Sequence, residues 1–282
     1  MHIWYMGIEY GYAVGASTLG SIDTTVFNFW GIPPYLFCAC IATVVAVCVF
    51  IVLLSAKNFP IDPYLKSLGI AVIGLVVAAR LFGCASGVFG AIGRQERIQW
   101  KTITNTGIVF YGGLTGLLTT YWCIVKSKKF GVCRSSMDLL AVVIPLFHAI
   151  SRVGCFFGGC CYGLIYGGPL SVNYTTEVQG EIVAGLRFPV QLLESILNLG
   201  LFIYLMCLVQ KDDWTERNIL KKYLFIYSIQ RFFLEFLRGD IHRGVIAGVS
   251  FSQVYSLSIL AVLIASYRKE KRKEKEIVYE SG

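Results

Sequence analysis

Apolar runs of about 20 residues recur along this chain, and they restrict what it can fold into. A helix of that length crosses a hydrocarbon core of about 30 Å. The chain of 282 residues is 56% hydrophobic and 15% charged, against about 25% charged residues in a typical soluble domain. We therefore predict an all-α integral membrane protein with seven transmembrane helices. The expected spans are residues 32–55, 65–90, 104–125, 137–152, 189–210, 219–237 and 250–267. The fourth span is short and ends in glycines, so we expect that helix to break there.

Lysine and arginine collect on one side of these spans, as they do in cytoplasmic loops. Alternate loops carry sixteen basic residues on one side and six on the other. This bias predicts an amino terminus outside the cytoplasm and a carboxyl terminus inside it. The expected organisation is an extracytoplasmic or interfacial segment at 1–31, a membrane domain at 32–267 and a charged cytoplasmic tail at 268–282. The net charge of +8 lies largely in the tail and the inner loops, so no nucleic-acid partner is expected.

Two segments outside the spans have recognisable patterns. Residues 1–31 mix aromatic, glycine and polar residues, which is typical of an amphipathic lid or hairpin at the outer interface. The loop 164–188 alternates valine, tyrosine and threonine between glycines, which predicts a small hairpin outside the membrane.

Four charged residues lie within the apolar sequence. Arg152 stands in SRVGCFFGGCCYG, and Arg231, Glu235 and Arg238 stand in YLFIYSIQRFFLEFLRGD. A charge at that depth costs roughly 2.5 to 3.5 kcal/mol, so such residues usually have a function. Arg231, Glu235 and Arg238 are spaced to share one helical face, where Glu235 can pair with either arginine. We predict that these guanidinium groups bind an anion such as a lipid phosphate.

Structural explanations compete with this prediction. Helix packing by small residues explains Gly154 and Gly159, although it does not explain Arg152. A buried ion-pair network that fixes helix register would explain Arg231 and Glu235 without any ligand.

Three further motifs carry weaker signals. YGGLTG places Tyr111, Gly112 and Gly113 at the expected start of the third helix, where a packing groove is the commoner use of glycines. RFPVQLLES puts Gln191 and Glu194 on the expected first turn of the fifth helix, near the positive end of its dipole. The cluster Cys155, Cys160 and Cys161 lacks the paired spacing of a zinc site, so no metal or other cofactor is expected. The sequence does not decide whether two of these cysteines form a disulfide.

In order and spacing, these segments resemble the prolipoprotein diacylglyceryl transferase family. YGGLTG stands where the family has HGGL followed by a small residue and glycine, and SRVGCFFGGCCYG stands where it has GRIGNFINGE followed by glycine. RFPVQLLES and RFFLEFLRGD match the family patterns RHPSQLYE and RFxxEFxREPD. The resemblance runs from about residue 80 to residue 253, and its last two blocks are the most specific.

The resemblance implies a reaction and a set of site residues. The family moves the diacylglyceryl group of phosphatidylglycerol to the thiol of a lipobox cysteine in a prolipoprotein, in the bacterial cell membrane and toward its outer leaflet. By position, the resemblance assigns catalytic roles to Arg152, Arg231, Glu235 and Tyr111. It assigns substrate binding to Arg238, Gly112, Gly113, Gly154, Gly159, Gln191 and Glu194.

The chain departs from the family pattern at three positions. Tyr111 replaces the family histidine, and Cys155 and Cys160 replace an asparagine and an acidic residue. A phenol is a poor base at neutral pH. The base is therefore another residue, such as Glu235 or His148, or the reaction needs little base assistance.

These observations lead to one main hypothesis and two alternatives. In the main hypothesis, Arg152 and Arg231 hold the phosphate of phosphatidylglycerol, Glu235 orients an arginine, and Tyr111 hydrogen-bonds a glycerol hydroxyl or the incoming thiol. A related transferase with a different donor or acceptor is the first alternative. A lipid transporter with the same fold is the second, and it would form no new covalent bond.

Overall fold

The architecture comes from a computed structural model, which describes residues 21–23, 31–93, 95, 97, 109–178, 181–239, 245–246 and 248–280. The α-helices in these residues follow the predicted apolar runs. They are α1 Pro34–Ala56, α2 Ile61–Gly93, α3 Phe110–Ser127, α4 Ser136–Phe157, α5 Val190–Val209, α6 Ile219–Leu234 and α7 Phe251–Glu280.

Four of these helices, α1, α2, α4 and α5, are long and apolar enough to cross a membrane. Helix α6 has 16 residues, which at 1.5 Å per residue is about 24 Å, shorter than a typical hydrocarbon core. Helix α7 has 30 residues, but charged side chains fill much of its second half. The prediction of a mostly helical membrane protein is confirmed. Seven crossings, and the side on which each terminus lies, stay predictions.

Helix α4 differs from the other apolar helices in its surroundings. Helices α1 and α2 leave large apolar side chains exposed, among them Val44, Val52 and Val77, as helices in contact with lipid do. Helix α4 is buried along most of its length. A charge on α4 is therefore surrounded by protein, where a partner can be supplied.

The end of α4 differs from the sequence prediction. The helix does not break near Arg152 but continues to Phe157. The Gly158 amide still donates to the Gly154 carbonyl at 2.8 Å, and the chain turns at Gly159, whose φ of +65° favours glycine. Gly154 lies within the helix. A Cβ there would lie 2.5 Å from the Cys38 Cβ, so the glycine allows α1 to pack closely.

The chain divides into two compact units, and Arg152 lies in the first. The first unit comprises residues 1–46, 145–200 and 236–241. It contains the strands β1 Ser21–Asp23, β2 Val172–Val178 and β3 Glu181–Arg187. Strands β2 and β3 form an antiparallel hairpin, and β1 pairs in parallel with β2.

The hairpin confirms the pattern read in the loop 164–188, while its place outside the membrane stays a prediction. Phe156, Val172 and Tyr174 form a small buried core beneath it. The lid or hairpin predicted for residues 1–31 lies outside the described residues, apart from β1 and Gly31.

The second unit comprises residues 47–144, 201–235 and 242–282. Its helices α2 and α3 approach closely through glycines. A Cβ at Gly116 would meet the Gly74 carbonyl oxygen and would lie 2.6 Å from the Ala78 Cβ. Two short strands, β4 Val245–Ile246 and β5 Val249–Ser250, pair just before α7.

The contact between α2 and α3 predicts a selective loss of stability. Gly116→Ala should destabilise the protein by about 1 to 3 kcal/mol, because the methyl group overpacks a backbone contact. Gly69→Ala is the matched control, since nothing lies within 4 Å of a Cβ at that position of α2. Thermal unfolding of both variants in detergent measures the difference. Equal midpoints for the two variants would contradict the close approach.

Candidate active site

A buried ion pair lies at the centre of the first unit. The Arg152 Nε on α4 lies 2.9 Å from the Glu194 Oε2 on α5, and the two side chains are 9% and 2% exposed. Burying either charge alone would be costly, so each explains how the other is tolerated. Glu194 is not on the first turn of α5, as the sequence suggested, but one turn further along. Its main partner is therefore Arg152 and not the helix dipole.

His148 joins this pair from the turn of α4 that precedes Arg152. Its Nε2 lies 2.9 Å from the Arg152 Nε and 3.3 Å from the Glu194 Oε1. The histidine is 2% exposed. One face of α4 thus presents an imidazole and a guanidinium to one carboxylate.

Arg238 lies in the first unit, beyond the end of α6. The α-helix ends at Leu234, and a 3-10 turn covers Glu235–Leu237. The prediction that Arg238 shares a helical face with Arg231 and Glu235 is therefore wrong, while the pairing of Arg231 with Glu235 is found. Arg238 instead forms a β-bridge with Gly163 and lies close enough to Arg152 to repel its charge.

A third arginine, Arg187, lies at the end of β3. Its Nη1 donates to the Gly163 carbonyl at 3.2 Å, and its guanidinium lies 4.3 Å from the centre of the Tyr162 ring. The sequence motifs did not point to Arg187 as a site residue. Its position directly before Phe-Pro at the start of α5 was the available signal, because the same block supplied Gln191 and Glu194.

The remaining predicted residues of the first unit have structural contacts. Gln191 is fully buried, and its Nε2 donates to the Cys160 carbonyl at 2.9 Å. Gly154 packs against α1, and Gly159 forms the turn after α4. The three cysteines of this segment are free thiols, so no disulfide links them.

The second unit holds the other predicted polar residues. The Arg231 Nη2 lies 2.8 Å from the Glu235 Oε2, with both side chains buried, as the spacing of four residues predicted. The Tyr111 hydroxyl lies 2.6 Å from the Ser256 Oγ on α7, and its ring packs against Tyr227 and Tyr255.

Gly112 and Gly113 follow Tyr111 on α3 and face α2. A Cβ at Gly112 would lie 2.5 Å from the Phe82 Cβ, whereas one at Gly113 would make only ordinary contact with Leu75. The structure gives these glycines a packing role. Their predicted part in substrate binding stays a prediction.

The buried charges of the first unit favour an anion. Its described buried residues include three arginines, Arg152, Arg187 and Arg238, and one carboxylate, Glu194. This is a formal excess of two positive charges in a poorly solvated region. Arginine binds phosphate and carboxylate through paired N–H donors. The arrangement is therefore suited to an anionic group and to stabilising negative charge on a leaving group.

The chain is similar to named bacterial transferases. The phosphatidylglycerol–prolipoprotein diacylglyceryl transferase of Clostridium tetani is 29% identical over 193 residues, which cover 68% of this chain and 75% of that protein. The transferase 2 of the same name from Clostridium perfringens is 29% identical over 209 residues, covering 69% and 78%. The corresponding enzyme of Dehalococcoides mccartyi strain BAV1 is 24% identical over 254 residues, covering 77% and 96%.

One family also matches most of the chain. The sequence model described as prolipoprotein diacylglyceryl transferase covers residues 24–268, which include both groups of buried charges and Tyr111. This match agrees with the order and spacing of the motifs. The chain belongs to the prolipoprotein diacylglyceryl transferase family.

Proposed function

We propose that this chain transfers the diacylglyceryl group of phosphatidylglycerol to the lipobox cysteine of prolipoproteins. The observation that carries the proposal is the excess of buried arginine over buried carboxylate in the first unit, on a chain of this family. Its relatives are named for this reaction. A phosphodiester headgroup supplies the single negative charge that such a site attracts.

The donor lipid binds with its phosphate against the guanidinium of Arg152. The Glu194 carboxylate lies against the Nε of Arg152, so the terminal nitrogens are the donors toward the phosphate. Arg238, in the segment 236–241 of the same unit, adds a second positive charge near Arg152. Two guanidinium groups then hold one phosphate, while the acyl chains stay in the lipid.

Transfer replaces one bond at the glyceryl carbon with another. The acceptor thiolate attacks the carbon that carries the phosphate, a C–S bond forms, and the C–O bond breaks. Glycerol phosphate leaves with the bonding electrons. Its developing negative charge is stabilised by arginines that are already in place, so little reorganisation is required.

The thiol proton goes to His148. Its Nε2 accepts a hydrogen bond from the Arg152 Nε in this structure. On protonation, Nε2 donates instead to the Glu194 Oε1 at 3.3 Å, while the Arg152 Nε donates to the Glu194 Oε2, and the carboxylate stabilises the imidazolium. Glu235 is the weaker candidate because it is paired with Arg231 at 2.8 Å. The hydroxyl of Tyr111 acts as a hydrogen-bond donor to substrate, in place of the histidine that the family pattern has there.

The seven helices cross the membrane with the amino terminus outside and the charged tail in the cytoplasm. The bias of basic residues toward alternate loops supports this orientation. The short helices α3 and α6 cross with the bilayer thinned around them or with their ends extended by non-helical residues. The site then opens toward the outer leaflet of a bacterial cell membrane.

A direct assay tests the reaction. Purified full-length protein, incubated with phosphatidylglycerol and a lipobox peptide, should add one diacylglyceryl group to the peptide as a thioether, seen by mass spectrometry. A peptide with serine in place of its cysteine is the control and should stay unmodified. Modification with a different donor lipid only would favour a related transferase, which the departures at Tyr111, Cys155 and Cys160 make the second candidate. Lipid movement without peptide modification would identify a transporter.

Substitution of Arg152 tests the phosphate contact. Arg152→Lys keeps a positive charge beside Glu194 but loses the planar pair of donors. We expect the transfer rate to fall about 100-fold to 1,000-fold, the usual effect of losing one donor to a developing anion. Arg134→Ala removes an exposed arginine and is the matched control. Near-normal turnover of the Arg152 variant at equal expression would show that the reaction does not need Arg152.

Substitution of Tyr111 separates its hydroxyl from its ring. Tyr111→Phe keeps the aromatic packing and removes the hydroxyl bonded to Ser256. Because a hydrogen bond contributes about 0.5 to 1.5 kcal/mol, we expect the rate to fall up to about tenfold. Tyr204→Phe, at an exposed tyrosine, is the control. Unchanged turnover of the Tyr111 variant would limit this residue to packing.

A further inference from the structure

Three cysteine thiols lie together at the end of α4. The Sγ atoms of Cys155, Cys160 and Cys161 all lie within 4.8 Å of one another. Cys155 is on the last turn of the helix, and the turn at Gly158 and Gly159 folds the chain back so that the other two reach it. The proposed transfer reaction assigns no role to any of the three.

Two of the three cysteines depart from the family pattern. The family pattern has an asparagine and an acidic residue where this chain has Cys155 and Cys160. Sequence spacing did not indicate a metal, because the thiols are not arranged in two separated pairs. The turn after α4 brings the three thiols together, which their sequence spacing does not show.

A guanidinium lies beside the cluster. The Arg152 Nη1 lies 3.9 Å from the Cys155 Sγ. Nearby guanidinium groups stabilise the ionised form of a thiol, and that form binds metal ions.

We propose that Cys155, Cys160 and Cys161 form a three-thiolate site for a thiophilic cation, Zn²⁺ or Cu⁺. Three sulfur ligands select soft or borderline cations over Mg²⁺ and Ca²⁺, which need oxygen ligands. With Zn–S bonds of about 2.3 Å, tetrahedral ligands lie about 3.8 Å apart, so the cluster needs only a small contraction.

The charge balance of this site is favourable. Three thiolates and one Zn²⁺ carry a net charge of −1, which leaves one of the two excess positive charges of the first unit for the phosphate. With Cu⁺ the net charge of −2 would cancel both, so Zn²⁺ is the cation that fits the proposed function. The Arg152 guanidinium, 3.9 Å from the Cys155 Sγ, offsets the charge of the zinc site. A fourth coordination position stays open for water, as it does in zinc sites with three protein ligands.

Metal retention by the full-length protein tests the proposal independently of transferase activity. Protein purified in detergent with reductant, loaded separately with Zn²⁺ or Cu⁺ and desalted, should keep one metal per chain by elemental analysis. Co²⁺ should give thiolate-to-metal charge-transfer absorption. Each of Cys155→Ser, Cys160→Ser and Cys161→Ser should weaken retention at least about tenfold. Cys48→Ser and Cys207→Ser, at exposed cysteines of other helices, are the matched controls and should retain the metal.

Several results would overturn the site. They are loss of both metals from the wild-type chain on desalting, equal retention by the cluster variants and the controls, and displacement of Zn²⁺ by Mg²⁺. Mass spectrometry of protein isolated without reductant gives the competing outcome. A disulfide within the cluster would make it a redox pair and would exclude a resident metal. Thermal unfolding of each serine variant shows whether lost retention reflects lost folding.

Discussion

The need to neutralise a buried guanidinium on α4 organises the first unit. Arg152 lies where water is scarce, so a carboxylate must meet it, and Glu194 on α5 does so at 2.9 Å. That contact fixes the rotation of both helices, because each must turn one polar residue toward the other. His148 completes the group from the preceding turn of α4. The buried arginines of the unit then outnumber its buried carboxylate, and the excess positive charge suits the unit to an anion.

Sequence patterns predicted the helices well and their ends less well. Apolar length located every α-helix of the described chain, because a helix buried in lipid or protein is apolar along most of its length. The hairpin of β2 and β3 followed from alternation between glycines. The end of α4 was missed because Gly154 can equally break a helix or allow another helix to approach. The packing of Cys38 on α1 against Gly154 shows that this glycine allows another helix to approach.

Pairing within the site was predictable only where it is local. Arg231 and Glu235 are four residues apart on one helix, so their contact follows from helical geometry. Glu194 and Arg152 are 42 positions apart in the sequence and meet through tertiary packing, which no local pattern encodes. Arg238 was placed on a helical face because its spacing suited one, but the α-helix ends at Leu234 and the chain leaves that face.

Main-chain hydrogen bonds position Arg187 and Arg238, so such a site can tolerate changes in the neighbouring side chains. The Leu164 amide donates to the Leu237 carbonyl, the Phe188 amide to the Leu164 carbonyl, and the Gly239 amide to the Tyr162 carbonyl. Every residue except proline can supply such an amide. Neighbouring side chains are therefore free to drift over time without moving the two arginines. The exceptions are Gly163 and Gly239, where a Cβ would collide with backbone and force the crossing segments apart.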